Sequence, residues 1–164
     1  MARPDPGISL RAKLIALAAA ICGAAISAPA SAQPEGDVYI AGNGFSFQQA
    51  ADQGISRTPS GQRFFLLVLP PETNALTTAA TSPLVALRDR VVASNGVLYV
   101  CQRDIDSGKI GVSSLVPGVV RVRGWLPVGD GGLPEGEKYY PDENPANFPV
   151  STNSMRQLRS ACSR

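Results

Sequence analysis

The sequence predicts a small α/β protein in which a mostly parallel sheet is covered by helices on both faces. Residues 64–69 and 97–101 contain only apolar side chains, which is typical of strands buried on both sides in a parallel sheet. The stretch between them has the spacing of an amphipathic helix. A strand, a helix and a second apolar strand form a βαβ unit, whose crossover we expect to be right-handed.

Ser82 is predicted to be the N-cap of the helix in this unit, with Pro83 at the first helical position. Asn95 and Gly96 end it, since both residue types tolerate the left-handed conformation. The apolar face consists of Leu84, Leu87 and Val91, widened by Val85 and Val92. We therefore expect Leu87→Asp to destabilise the fold and Arg88→Asp, one position round the helix, to be tolerated.

Less regular elements flank the unit. Those before it are a strand at residues 38–41, a short helix at 45–53 and a loop at 55–62. Those after it are a polar helix or turn at residues 102–109, a strand near the sheet edge at 119–125, and a helix at 151–162. Residues 126–150 hold five prolines and four glycines, so they predict a long irregular loop.

The N-terminal residues 1–32 predict a signal peptide. A basic stretch ending at Lys13 precedes the apolar residues 14–26, and Ala30, Ser31 and Ala32 match a small-x-small cleavage pattern. The alternative of a membrane anchor needs about 20 apolar residues, and a lipoprotein site at Cys22 needs a small residue where Ile21 stands. We expect cleavage near Ala32 and a periplasmic or secreted protein, without stable membrane insertion, whose residues 33–164 form a single α/β domain.

Charge and residue types exclude several function classes. Loss of residues 1–32 removes three of the 15 basic and one of the 13 acidic residues, leaving 12 of each. A neutral chain gives no electrostatic reason to expect a nucleic-acid partner. The chain has no histidine, which excludes histidine-based catalysis and histidine metal sites, and three cysteines are too few for an all-cysteine zinc site. We expect no metal, since the oxygen-ligand spacing of a calcium loop is also absent. We expect no cofactor, because residues 42–44 lack the full dinucleotide glycine pattern and predict a plain turn.

Cys101 and Cys162 are the two cysteines of the mature chain. Cys101 ends an apolar strand and is the candidate nucleophile, but without a histidine base its chemistry rests on the nucleophilicity of sulfur itself. Alternatively, Cys101 and Cys162 form a disulfide that closes a loop of about sixty residues in an oxidising compartment. The sequence leaves open a free Cys101, a permanent disulfide and a redox-switchable pair.

Residues 95–102 and 115–119 resemble the DsrE/DsrF-like proteins of bacterial sulfur metabolism. In those proteins a helix ends at a glycine, a strand runs into a cysteine, and a short helix and a Leu-x-Pro-Gly-Val turn follow. The resemblance covers residues 62–124 and implies a flavodoxin-like, three-layer α/β sandwich, a homo-oligomer, and sulfane sulfur held on Cys101. The chain departs from the family pattern at Pro70 and Pro71, in the loop 126–150 and in having Cys162.

Two functions follow as expectations. The first is a periplasmic DsrE-like sulfur carrier or thiol relay, in which Cys101 accepts sulfur from one protein partner and passes it to another. The alternative is a non-catalytic binding or assembly subunit of the bacterial cell envelope, with an envelope protein as partner and a Cys101–Cys162 disulfide holding the fold. Both functions describe a carrier or binding protein more readily than a turnover enzyme.

Overall fold

The computed structural model describes residues 35–125 and 145–163. The predicted signal peptide, residues 1–32, and residues 126–144 of the predicted irregular loop lie outside the described residues.

Four parallel strands form the sheet, and within the described residues they lie side by side in chain order. They are β1 (Glu35–Ala41), β2 (Arg63–Val68), β3 (Gly96–Cys101) and β4 (Val120–Val122). β2 and β3 are the inner strands, which matches the uninterrupted apolar runs that predicted them. All four strands end at one edge of the sheet, here called the carboxyl edge, and begin at the opposite amino edge.

In the described part of the chain, four α-helices accompany the strands: α1 (Phe47–Arg57), α2 (Ser82–Ala93), α3 (Gln102–Asp106) and α4 (Thr152–Cys162). A capping box begins α1, because Ser46 Oγ accepts the Gln49 N–H and the Gln49 side chain accepts the Ser46 N–H. Asn95, just after α2, has φ +69°, so the predicted left-handed turn carries the chain directly into β3.

The side chains of β2 alternate between two cores, one on each face of the sheet. Phe64, Leu66 and Val68 belong to the core that includes residues of α1 and α2. Phe65 and Leu67, together with Leu69 just after β2, belong to the core that includes Leu158 and Cys162 of α4. The predicted α/β sandwich with helices on both faces of a parallel sheet is therefore confirmed.

Several element boundaries differ from the predictions. β1 begins at Glu35, and α1 continues to Arg57, so the start of the predicted loop 55–62 is helical. Val92 is 58% exposed and does not widen the apolar face of α2.

The strand predicted over residues 119–125 is only three residues long. Its last pair joins Val122 to Cys101. β3 then turns into α3, so the residues after Val122 have no further strand residue to pair with. No helix within residues 35–125 and 145–163 is both long and apolar enough to cross a membrane.

Candidate functional site

A disulfide joins the carboxyl edge of the sheet to the end of the last helix. Cys101 is the final residue of β3, Cys162 is the final residue of α4, and their Cα atoms are 5.3 Å apart. Both side chains are buried, with 0% and 2% exposure. Of the three thiol states that the sequence leaves open, the structure has the disulfide, and Cys101 carries no free thiol in this form.

The path of α4 explains why these two cysteines meet. The helix starts at the amino edge beside Glu35 and ends at the carboxyl edge beside Cys101, so it runs in the same direction as the strands. Gly124 lets the chain after β4 pass close to the end of α4, because a Cβ at this position would lie 2.6 Å from the carbonyl oxygen of Cys162. The helix predicted over residues 151–162 thereby places Met155, Leu158 and Cys162 against the sheet, as its spacing indicates.

Glu35 forms hydrogen bonds with the residues at the start of α4. Its Oε1 accepts the Val150 N–H and its Oε2 accepts the Ser151 N–H, each at 2.7 Å, while Arg63 Nη2 lies 2.6 Å from Oε1. Arg63 also donates to the carbonyl oxygen of Phe148 at 2.8 Å. Burial alone would raise the pKa of the Glu35 carboxyl, but the two backbone N–H groups and Arg63 outweigh it and hold that pKa below its usual value.

A cavity of about 450 Å³ lies at the carboxyl edge, next to the disulfide. It is the place where the ends of parallel strands commonly hold ligands in open α/β sheets. The end of β1, the loops after β1 and β2, helix α3 with the loop after it, and the last turn of α4 all contribute to its wall. The lining residues are Ile40, Asn43, Leu69, Pro70, Arg103, Asp104, Lys109 and Ala161.

One oxygen of a buried carboxylate in this lining is approached by two cations. Asp104 is 1% exposed, and its Oδ1 is 3.4 Å from Lys109 Nζ and 3.8 Å from Arg103 Nε. Its Oδ2 has no hydrogen-bond partner among the residues that the structure describes. Asp106 does not line the cavity and accepts a hydrogen bond from Gln102 Nε2 at 2.8 Å.

Sequence reasoning missed Lys109 and Asn43 as members of this site. The glycine-flanked segment was predicted to be a plain turn, and it is one: Gly42 N and Phe45 O are 2.7 Å apart. Asn43 nevertheless faces the cavity because β1 ends at the same edge as β2 and β3. Both residues follow predicted strands in the sequence, which is the one feature that could have identified them. That feature places them at a common site only when the parallel order of the strands is known.

A larger depression of about 630 Å³ lies at the amino edge, between the end of α2 and the start of β3. Its one arginine, Arg88, already donates to the carbonyl oxygens of Ala75 and Thr77. We therefore assign the candidate site to the smaller cavity, where the charged groups retain donor capacity. Within residues 35–125 and 145–163, no three acidic or cysteine side chains are grouped as metal ligands.

No family model, no curated protein and no solved structure matches the chain. The resemblance of residues 62–124 to DsrE/DsrF-like proteins therefore stays a prediction.

Proposed function

We propose that this chain is a non-catalytic binding subunit of the bacterial cell envelope whose fold is held by the Cys101–Cys162 disulfide. The observation that carries the proposal is the burial of both bonded cysteines at the end of β3 and the end of α4. Disulfides of this kind persist in oxidising compartments. The leader pattern of residues 1–32 supports the same destination.

The site also favours binding over covalent chemistry. Cys101 is the one candidate nucleophile that the sequence offers, and its sulfur is bonded and fully buried. The chain has no histidine to act as a general base. The adjacent cavity, in contrast, has an open volume, charged donors and an apolar wall, which are the features of a small-molecule or peptide-end site.

The sulfur-carrier hypothesis remains the second candidate, because Cys101 lies at the carboxyl end of a parallel strand beside that cavity. It requires two further events. A dithiol reductant must first take the disulfide to two thiols, and α4 must then move to expose Cys101. The binding-subunit hypothesis requires neither event.

Thiol counting on protein purified from the periplasm separates the two candidates. We expect the intact mass of a chain that begins at Gln33. Before reduction no thiol should react with an alkylating agent, and after reduction two thiols should react. Incubation with a persulfide donor should leave the mass unchanged. A free Cys101 that gains ~32 Da, the mass of one sulfur atom, and a Cys101→Ser variant that does not, would establish the carrier instead.

A chain that retains residues 14–26, or that carries lipid on Cys22, would contradict the cleavage step of the proposal without bearing on the disulfide.

A further inference from the structure

We infer that the cavity at the carboxyl edge binds a small organic carboxylate, with Lys109 and Arg103 as the anion-binding groups. The inference deepens the proposed function and rests on it, since it names the ligand class of the proposed binding subunit.

The first argument is the charge of the lining. Lys109 and Arg103 face a single carboxylate, that of Asp104, so the cavity lining carries one more positive than negative side chain. A lysine has three N–H donors and an arginine has five. Lys109 gives one hydrogen bond to Asp104 Oδ1 at 3.4 Å, and the Nε of Arg103 approaches the same oxygen only to 3.8 Å. Lys109 therefore keeps two of its three N–H donors for a ligand, and the buried Nη1 of Arg103 has no hydrogen-bond partner among the residues that the structure describes.

The second argument is the position of Asp104. Its buried carboxylate holds the two cations on the same side of the cavity, because both approach the same Oδ1 atom. Lys109 keeps 60% of its side chain exposed, so its ammonium group can reach a ligand in the opening. An anionic group beside Lys109 and Arg103 would balance the surplus charge and form charge-assisted hydrogen bonds.

The third argument is the apolar part of the wall. Ile40, Leu69, Pro70 and Ala161 line the cavity away from the charged residues. A bare inorganic anion gains nothing from apolar contacts, whereas a carboxylate with a short hydrocarbon chain buries that chain against them. The volume of about 450 Å³ lies within the range of small-molecule sites.

The disulfide connects the α4 side of this cavity to the side that carries Arg103. Ala161 precedes Cys162, and Arg103 lies two residues after Cys101, so the covalent bond fixes the α4 wall relative to the cationic wall. We expect reduction of the disulfide to weaken carboxylate binding.

Calorimetric titration of the oxidised mature chain with butyrate, butyramide and sulfate tests the inference. Butyrate should bind. Butyramide, which has the same shape without the charge, and sulfate, which has charge without the hydrocarbon, should each bind at least about tenfold more weakly. Equal binding of butyrate and butyramide, equal binding of butyrate and sulfate, or no butyrate binding would overturn the inference.

Two variants locate the binding to this cavity. Lys109→Gln should raise the butyrate Kd by about tenfold or more, since a hydrogen bond to a charged group is lost. Arg90→Gln is the matched control, because Arg90 is an exposed cation on α2 that does not line this cavity. The same butyrate affinity in Lys109→Gln and wild type would overturn the assignment, and Arg103→Gln provides a second, independent variant.

The two proposals fail in different ways. A persistent disulfide with no butyrate binding would reject only the ligand class. Sulfur uptake on Cys101 would reject the binding-subunit function, whatever the titration shows.

Discussion

At the scale of single residues, the Glu35 carboxylate joins the start of β1, the start of β2 and the start of α4. It accepts two backbone N–H groups and pairs with Arg63. Glu35→Gln leaves the shape almost unchanged but removes the charge, so we expect it to lower the free energy of unfolding at pH 7 by roughly 1–3 kcal/mol. Chemical denaturation measures this difference.

The pKa of Glu35 fixes the pH range in which this difference appears. Since the folded-state pKa lies below the unfolded value of 4.5, the stabilisation by Glu35 is fully present above that value and is lost as the pH falls through the folded pKa. The gap between wild type and Glu35→Gln should therefore narrow on acidification. Asp89→Asn is the control, because that carboxylate is 72% exposed. A gap that stays constant down to pH 2 would contradict this role.

Arg88 shows where helix spacing alone misjudges a residue. The sequence predicts that Arg88→Asp is tolerated, but the side chain is only 12% exposed and Nη1 lies 3.1 Å from Ala75 O and 3.3 Å from Thr77 O. A carboxylate there would lose both bonds and face carbonyl oxygens, so we expect a loss of roughly 1–3 kcal/mol in thermal or urea unfolding. Leu87→Asp should cost more, because it buries a charge in the core. Arg90→Asp, at an exposed position, is the control and should change the free energy of unfolding little. An equally small change in Arg88→Asp would show that the hydrogen bonds of Arg88 do not stabilise the fold.

At the scale of elements, α1 contains Gly54, and glycine is a residue type that destabilises helix interiors. A Cβ on Gly54 would lie 2.5 Å from Cε2 and 2.7 Å from Cδ2 of Phe64, a fully buried aromatic residue of the core that includes residues of α1 and α2. In an exposed helix, glycine to alanine gains about 1 kcal/mol. Here we expect Gly54→Ala to lower the free energy of unfolding by roughly 1–3 kcal/mol, because the added methyl group would overpack the core.

Urea unfolding of Gly54→Ala and of Gln48→Ala, an exposed position on the same helix, tests this expectation. Gln48→Ala should be neutral or slightly stabilising. A stabilised Gly54→Ala variant would mean that Phe64 can move away at little cost.

The same elements show what the sequence could predict. β2, β3 and α2 follow from local patterns. Apolar runs predict the two strands, and Pro83 near the start and Asn95 just after the end predict the helix, although its N-cap is Thr81 instead of the predicted Ser82. The length of α1 does not follow from local patterns. A glycine inside this helix is explained only by the contact of Gly54 with Phe64, which lies in the next strand. The disulfide was one of three open states, and only the path of α4 across the sheet brings Cys162 to Cys101. The cavity could not be predicted, because the order of the strands must be known before Asn43 and Lys109 can be placed in the same lining.

At the scale of the whole molecule, the disulfide supports the one helix that covers the second face of the sheet within residues 35–125 and 145–163. The bond closes a loop with a sequence separation of 61 residues, for which chain entropy gives about 4 kcal/mol. Cys101→Ser and Cys162→Ser should each lower the free energy of unfolding by a similar amount of this order. The double variant should lose no more than either single one, because the bond can be lost only once. Losses that add in the double variant would show that the two side chains act independently.

The bond between Cys101 and Cys162 also makes a covalent ring of all the residues between them. A single proteolytic cut anywhere within this ring adds one water to the mass but leaves the two pieces attached. Such a nicked molecule should run as one species on a gel without reductant and as two fragments with it. A cut before the ring, such as one after Arg57, should release its fragment under both denaturing conditions. Limited proteolysis therefore reports the connectivity of the chain without any reagent that reacts with sulfur.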